Sequence, residues 1–339
     1  MKIVTDLARF DKKKFPKLVI ALGNFDGVHR GHLEMIRMIR EEAKKLGAFA
    51  AVFTFREHPQ RILHRKENPP ILTSLVHKLL LLQQAGLDLC ILIDFTEALS
   101  QKEPDEFIRD IFVDRLGAKV VCMGFNARFG RNRSGDIKKM DELSHQYGFS
   151  FLQAPAFQVS GETVSSSMIR SLVKEGRLEQ AAVLLGRPYS FFGTVVPGSG
   201  RGREIGFPTA NLDPHSEVMP PEGVYAVWVR SLLCELVPNE GGFTELQVSK
   251  GSASYQGVLN YGRRPTFESG ENVVPEVHLL NFSDDLTGKT IEVTIGRRLR
   301  DERTFSSREA LRCQIEIDIQ ESHQWLGEPH RIKEKRDAN

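Results

Sequence analysis

Residues Leu18–Leu46 read LVIALGNFDGVHRGHLEMIRMIREEAKKL, and the order of parts in this stretch sets the fold of the first half of the chain. The apolar run Leu18-Val19-Ile20-Ala21-Leu22 predicts a buried strand. Gly23 and Gly27 punctuate a short loop. Beyond it, Leu33, Ile36, Ile39, Ala43 and Leu46 recur every three or four residues, which predicts an amphipathic helix, and Gly47 stands where a helix-ending glycine belongs. His29 and His32 fall at the loop–helix junction, so on a first helical turn their side chains share a face. A helix N-terminus offers unpaired N–H groups and the positive end of a dipole, and two imidazoles add donors, a layout suited to phosphates. Taken alone, a His-x-x-His pair is equally a surface coincidence or two zinc ligands; the strand–glycine loop–helix setting favours the phosphate reading.

The alternation continues. Strands are predicted at Ala50–Phe55, Leu89–Ile93, Lys119–Met123 and Phe149–Leu152, and helices at Leu75–Ala85, Pro104–Leu116 and Ile137–Tyr147. Strands separated by helices predict a parallel sheet, with ligands beyond the carboxyl ends of its strands. The loops at those ends are Gly23–His32, Phe55–Pro59, Gly124–Asp136 and Pro155–Arg170. The third, GFNARFGRNRSGD, holds Arg128, Arg131 and Arg133, a fork of donors suited to polyphosphate. In the fourth, Ser165, Ser166 and Ser167 precede Arg170, which by itself is an ordinary serine-capped helix.

After a helical segment at Leu178–Leu185 and the linker Gly186-Arg187-Pro188-Tyr189, the pattern changes. Short β-rich runs at Ser190–Val196, Val224–Val229, Gln256–Leu259, Glu276–Leu280 and Glu292–Ile295 predict a small antiparallel barrel. A helix from Ser307 to about Trp325 follows, with Leu311, Ile315 and Ile319 on the face expected to pack on the barrel. Arg230–Tyr255 reads as an expanded hairpin loop without chemistry. The expected domains are 1–186 and 187–330, with a charged tail at 331–339.

Composition sets bounds. A chain of 339 residues favours two domains, and 46 Lys+Arg against 44 Asp+Glu leave a formal charge of +2, giving no reason to expect nucleic acid or an anionic membrane as partner. Cys90, Cys122, Cys234 and Cys313 are far apart and suit reduced thiols in a cytoplasmic protein. No run reaches membrane-spanning length.

His29-Arg30-Gly31-His32 resembles the signature of the HxGH nucleotidyltransferases, and the longer string from Gly23 through Asn24, Phe25, Asp26 and Gly27 to His29 resembles the family of bifunctional riboflavin kinase/FMN adenylyltransferases. Phe53-Thr54-Phe55 with His58-Pro59, and Ser165-Ser166-Ser167-Met168-Ile169-Arg170, are similar to further motifs of that family. Arg128-Phe129-Gly130 is kept, whereas Asn126 and Ala127 stand where most members have Asp and Phe. In the second half, Gly198-Ser199-Gly200-Arg201-Gly202-Arg203 and Gly206-Phe207-Pro208-Thr209-Ala210-Asn211 resemble the kinase signature, followed by Gly262–Phe267, Glu276–Leu280 and Leu299-Arg300-Asp301-Glu302.

The resemblance implies a Rossmann-like α/β domain followed by a kinase-type β-barrel, converting riboflavin and ATP to FMN and then FMN and a second ATP to FAD. It implies His29 and His32 on ATP phosphates, with Gly23, Asn24, Phe25, Asp26, Gly31, Arg128, Ser166, Ser167 and Arg170 lining the nucleotide. In the barrel it implies Glu276 as base, Thr209 and Asn211 on Mg²⁺, and Gly198, Arg201, Gly202 and Pro208 at the nucleotide. Asn126, Arg300 and Glu302 would face flavin. The alternative is a kinase alone with a drifted first domain, for which Asn126 and Ala127 are the support. A flavin-binding carrier without turnover is a second alternative, and self-association stays possible.

Overall fold

The computed structural model describes residues 1–57, 70–198, 200–238, 243–249, 254–264 and 272–327. Of the residues expected to matter, His58, Pro59, Ser199, Pro265, Thr266, Phe267 and the tail at 331–339 lie outside them. The chain forms two compact units, Met1–Ser166 with Glu235–Gln247, and Ser167–Cys234 with Val248–Asn339. The division thus falls ahead of the expected boundary at 186, and part of the supposed hairpin loop belongs with the first unit.

In the first unit six parallel strands stand in the order β1 (Lys2–Val4), β4 (Leu89–Ile93), β3 (Phe49–Phe55), β2 (Leu18–Leu22), β5 (Ala118–Gly124), β6 (Ser150–Ala154). Every residue of β2 is buried, as a central strand covered on both faces requires. Chain order reverses at β2: β3 and β4 lie on one side, β5 and β6 on the other. The crevice this leaves at the strand's carboxyl end is where open α/β sheets bind ligands. Helix α1 (Arg30–Leu46) leaves that point and ends at Gly47, whose φ of 57° is the left-handed cap expected there. Helices α2 (Leu75–Gln84) and α3 (Ile137–Tyr147) match the periodicity.

The segment after Pro104 differs from expectation. Only Pro104–Phe107 is α-helical; Ile108–Arg115 is a π-helix, with Leu116 N–H donating to Ile111 O at 2.9 Å. The wider turn suits the apolar load: Phe107 and Phe112, five residues apart, are both buried with ring centroids 5.5 Å apart.

In the second unit, α4 (Ser166–Lys174) and α5 (Leu178–Leu185) precede a barrel. Its strands are β7 (Ser190–Val196), β8 (Ala210–Asp213), β9 (Gly223–Pro238), β11 (Ser254–Arg264), β12 (Asn272–Leu279) and β13 (Thr290–Arg300). They pair antiparallel in the order β11-β12-β8-β7-β13-β9, and β9 pairs back onto β11 to close the sheet. β7 keeps its predicted bounds, the other predicted strands run longer than their apolar cores, and β8, only four residues (Ala-Asn-Leu-Asp), gave no sequence signal. The loop expected at Arg230–Tyr255 also contains strand β10 (Thr244–Ser249), whose Thr244 and Glu245 pair antiparallel with Ile3 and Lys2 of β1.

Helix α6 (Arg201–Glu204) is a single turn, and α7 (Arg308–Gly327) is the last element among the described residues. The face α7 turns to the barrel is more polar than expected, since its buried residues are Asp318, Ser322 and Leu326, whereas Ile319 is half-buried. Ser322 donates to Gly257 O at 3.1 Å, and the Trp325 ring covers Gly296 so closely that a Cβ there would lie 2.1 Å from it.

Candidate active sites

The first site is the loop between β2 and α1. His29 caps α1 with its own ring: Nδ1 accepts the His32 N–H at 3.3 Å. With Nδ1 occupied as acceptor, the proton of the neutral ring is on Nε2. His32 stacks on it, centroids 3.7 Å apart and planes 16° from parallel, and Phe25 closes on His32 from 5.1 Å. Gly31 permits this folding back, since a Cβ there would lie 3.2 Å from the His29 ring. His32 Nδ1 is shielded from solvent and has no hydrogen-bond partner among the described residues. Burial, then His29, then Lys78 hold the His32 imidazole well below its usual value, so it is neutral at pH 7. Two imidazoles at a helix N-terminus, that of His32 neutral with an orphaned buried nitrogen, make a receptor for an anion.

The loop behind them is held tightly. Phe25 and Val28 adopt positive φ of 53° and 38°, and Gly27 has φ 79° with its α-carbon against Leu72. Asp26 is buried and accepts N–H bonds from Leu72 at 2.9 Å and Thr73 at 3.1 Å. It is an anchor for the loop rather than a group displayed to a nucleotide. Thr73 Oγ1 accepts the Gly27 N–H at 3.0 Å, Thr54 Oγ1 donates to Asn24 O at 3.1 Å, and Ser166 Oγ donates to Asp26 O at 2.9 Å. Gly23 is half-buried, its α-carbon packed on the Phe25 ring. Ser166 therefore belongs to the histidine loop. Ser167, exposed, and Arg170, half-buried, follow on α4 in the second unit.

The arginine loop is built differently from the expectation. Arg128 pairs with Asp136 at 3.2 Å on the surface, and Asp136 also caps α3 through Lys139 N–H at 2.9 Å. Phe129 is buried and Gly130 (φ 69°) packs on Pro104, so Arg128-Phe129-Gly130 fastens the loop to the helix behind it. Asn126 is exposed in the turn closed by Ala127 N–H to Gly124 O at 3.0 Å.

The second site lines a cavity of about 770 Å³ in the second unit, walled by Phe207, Val224, Val258, Phe305, Leu311 and Ile315, with Gly202, Thr209, Asn260, Glu276, Arg300 and Glu302 among its polar lining. Cross-strand pairing sets Asn211 opposite Glu276 and Ala210 opposite Val277. Thr209 Oγ1 donates to Glu276 Oε2 at 3.3 Å, leaving the hydroxyl's lone pairs free. Two glycines are fixed by contact: a Cβ on Gly198 would lie 1.6 Å from Asn211 Nδ2, and one on Gly202 would lie 2.4 Å from Phe207 O. Arg201 opens α6, and Pro208 is exposed.

Two residues that the sequence reading left without a role complete this site. His278 shares the Glu276 face of β12, two residues on, and its Nδ1 bonds Pro208 O at 2.8 Å, fixing the turn that carries Thr209. The strand period of two was the signal that could have found it. Asp318 on α7 takes a bidentate pair from Arg300, Nε at 2.9 Å and Nη2 at 2.8 Å, and a bond from Gln314 at 2.8 Å. No local pattern announces an acid among the buried residues of this helix. Glu302 lies directly over Gly262, leaving no room for a side chain there.

Comparison with known proteins matches each half of the chain to a family of its own. A FAD synthetase family model matches residues 11–168 and a riboflavin kinase family model matches residues 185–326. The bifunctional riboflavin kinase/FMN adenylyltransferase of Escherichia coli is 32% identical over 327 residues, covering 96% of this chain and 98% of the relative. That of Haemophilus influenzae is 34% identical over 89% of this chain and 92% of the relative, and that of Bacillus subtilis 34% over 92% and 93%. Among solved structures, a macrolide-efflux protein from Streptococcus pneumoniae superposes with TM-score 0.77 at 26% identity, over 96% of this chain and 100% of that one. Among the described residues here, no helix is long and apolar enough to cross a membrane.

Proposed function

This chain belongs to the family of bifunctional riboflavin kinase/FMN adenylyltransferases, and on that premise we propose how its residues divide the two reactions. The enzyme phosphorylates riboflavin to FMN and adenylylates FMN to FAD. With both halves matching their own family model, the kinase-only alternative loses its support.

In the barrel, Glu276 takes the proton of the ribityl 5′-hydroxyl as that oxygen bonds the γ-phosphorus of ATP, the bond to the β-phosphate oxygen breaks, and ADP leaves. Thr209 keeps the carboxylate turned toward the cavity through the 3.3 Å bond. Gly198, Gly202 and the α6 turn that Arg201 opens bring backbone close to the phosphates. The apolar wall takes the flavin ring, and Arg300 and Glu302 border it. Thr209 lines that cavity with its hydroxyl, and Asn211, buried and paired opposite Glu276, carries an amide oxygen two residues on; hydroxyl and amide are hard oxygen donors that fit Mg²⁺. When bound, the ion neutralises phosphate charge.

In the first unit, an FMN phosphate oxygen attacks the α-phosphorus of ATP, the α–β bridge breaks, and pyrophosphate leaves. The histidine pair holds the phosphates: His29 donates from Nε2, and His32 joins it as phosphate charge favours its protonation. Asn24, Gly31 and Ser166 shape the loop around them, with Ser167 and Arg170 continuing the same helix. Asn126 and Arg128 are proposed for the flavin phosphate and the nucleotide once Arg128 exchanges Asp136 for a ligand. No covalent enzyme intermediate is needed; positioning and charge do the chemistry. We propose the cytoplasm as its compartment, where ATP and reduced thiols coexist.

The observation that carries the reading is the imidazole pair, stacked at 3.7 Å on a helix N-terminus at the reversal point of the sheet. Purified protein incubated with riboflavin, Mg²⁺ and ATP should accumulate first FMN and then FAD. FMN that accumulates without FAD sinks the assignment of the histidine site.

A further inference from the structure

Lys78, on α2 of the first unit, has no part in the scheme above. The residue is 7% exposed, and its ammonium donates to Phe55 O at 2.7 Å. Phe55 is the last residue of β3, so the charge is anchored at the carboxyl end of the sheet, beside the loop that carries His29 and His32. Among the described residues, no carboxylate lies within ion-pair distance of it. The titratable groups whose fields reach it are Asp26, Cys90 and His32, and its helix neighbour His77 is buried as well. Of these, the Asp26 carboxylate supports the ammonium's charge, and burial outweighs it. Asp26 is committed to the backbone of Leu72 and Thr73, and burial pushes the Cys90 thiol up to about 12, which keeps it uncharged. His32 is a potential cation, which repels. An ammonium left in such surroundings is costly for the fold, and burial brings Lys78 down to about 8.

We infer that Lys78 is a positioning residue for adenylyl transfer: its ammonium fixes the end of β3 beside the paired imidazoles and supplies positive charge that the incoming ATP phosphates compensate. This rests on the reading that adenylylation takes place at His29 and His32. The lysine forms no bond to substrate. It acts by adding to the burial and the His29 field that keep His32 neutral in the empty site, and by making the arrival of a polyanion favourable. A charge held only to about pH 8 gives the reaction an alkaline limit that the kinase reaction does not share.

The test follows both reactions on the full chain across the range from about pH 6 to above pH 8, supplying FMN, Mg²⁺ and ATP for one and riboflavin, Mg²⁺ and ATP for the other. Wild-type kcat for FAD formation should fall above about pH 8, with no matching limb in riboflavin phosphorylation. Lys78→Met should lower kcat for FAD formation roughly a hundredfold, spare phosphorylation, and raise the NMR titration midpoint of His32, because a like charge has gone. Lys78→Arg should keep activity and lose the alkaline limb, since a guanidinium does not titrate there. Unchanged FAD formation and an unmoved His32 in Lys78→Met overturn the inference. Should the methionine variant fail to fold, the arginine variant decides: a limb that stays near pH 8 overturns it. A His29→Ala variant that still makes FAD removes the site itself, an outcome distinct from any result at position 78.

Discussion

His29 does two things with one ring, capping α1 through Nδ1 and offering Nε2–H to a ligand, and substitution can separate them. His29→Ala loses both: the helix cap is worth about 1 kcal/mol, and FAD formation should fall roughly 10²–10³-fold. His29→Asn restores a good cap without an imidazole, so its melting temperature should return toward wild type while FAD formation stays low. At Glu276 the expectation is reversed. Glu276→Gln keeps the partner of Thr209 but not the base, and should cost phosphorylation roughly 10²–10⁴-fold while FAD still forms from supplied FMN. Gly198→Ala tests the close approach of Asn211: a forced Cβ contact costs about 1–3 kcal/mol, so phosphorylation should drop roughly tenfold to a hundredfold with adenylylation intact.

Elements hold these residues in place through contacts distant in sequence. Asp26 ties the β2–α1 loop to Leu72 and Thr73, and Asp26→Ala leaves two buried N–H groups without their acceptor. The expected loss is about 2–4 kcal/mol from the first unit, read as a lower melting temperature, together with loss of FAD formation and survival of the kinase. In the barrel, Asp318 on α7 holds Arg300 at the cavity wall, the Asp318 side chain being only 3% exposed. Asp318→Ala strands a half-buried guanidinium, which costs about 3 kcal/mol, and should raise the KM for riboflavin more than it lowers kcat. The π-helix at Ile108–Arg115 shows why the segment after Pro104 was only half legible: proline announces where a helix starts, but the pitch was set by Phe107 and Phe112 sharing one core.

For the molecule as a whole, pH acts on the first unit through His32. Its folded value is depressed, so the unfolded chain binds the proton more readily. The stability it contributes is present above about pH 6.5 and is lost as pH falls below that. The melting temperature of the first unit should therefore drop on acidification, and His32→Gln should flatten that slope; calorimetry between neutral and mildly acid pH decides it. Bound ATP should oppose the drop, since phosphate charge stabilises the protonated ring. Nearly all of the first sheet was readable, because parallel strands buried on both faces are continuous apolar runs. Strand β1, of three residues, and β8, of four, fall below what such a pattern can register.

The sequence by itself determined the two-part architecture and the chemistry of each part, because phosphate-binding loops need particular residues at fixed local spacing: the two histidines on one helical turn, and glycines where backbone must approach a ligand. Only the tertiary structure decided which polar residues serve the ligand and which serve the fold. Asp26 and Asp318 are charged residues of the kind a site would use, yet each is held by partners the chain brings in from elsewhere: Leu72 and Thr73, and Arg300. Local sequence carries the donor or acceptor a residue offers; what takes it is set by packing, which joins positions as far apart as Asp26 and Leu72.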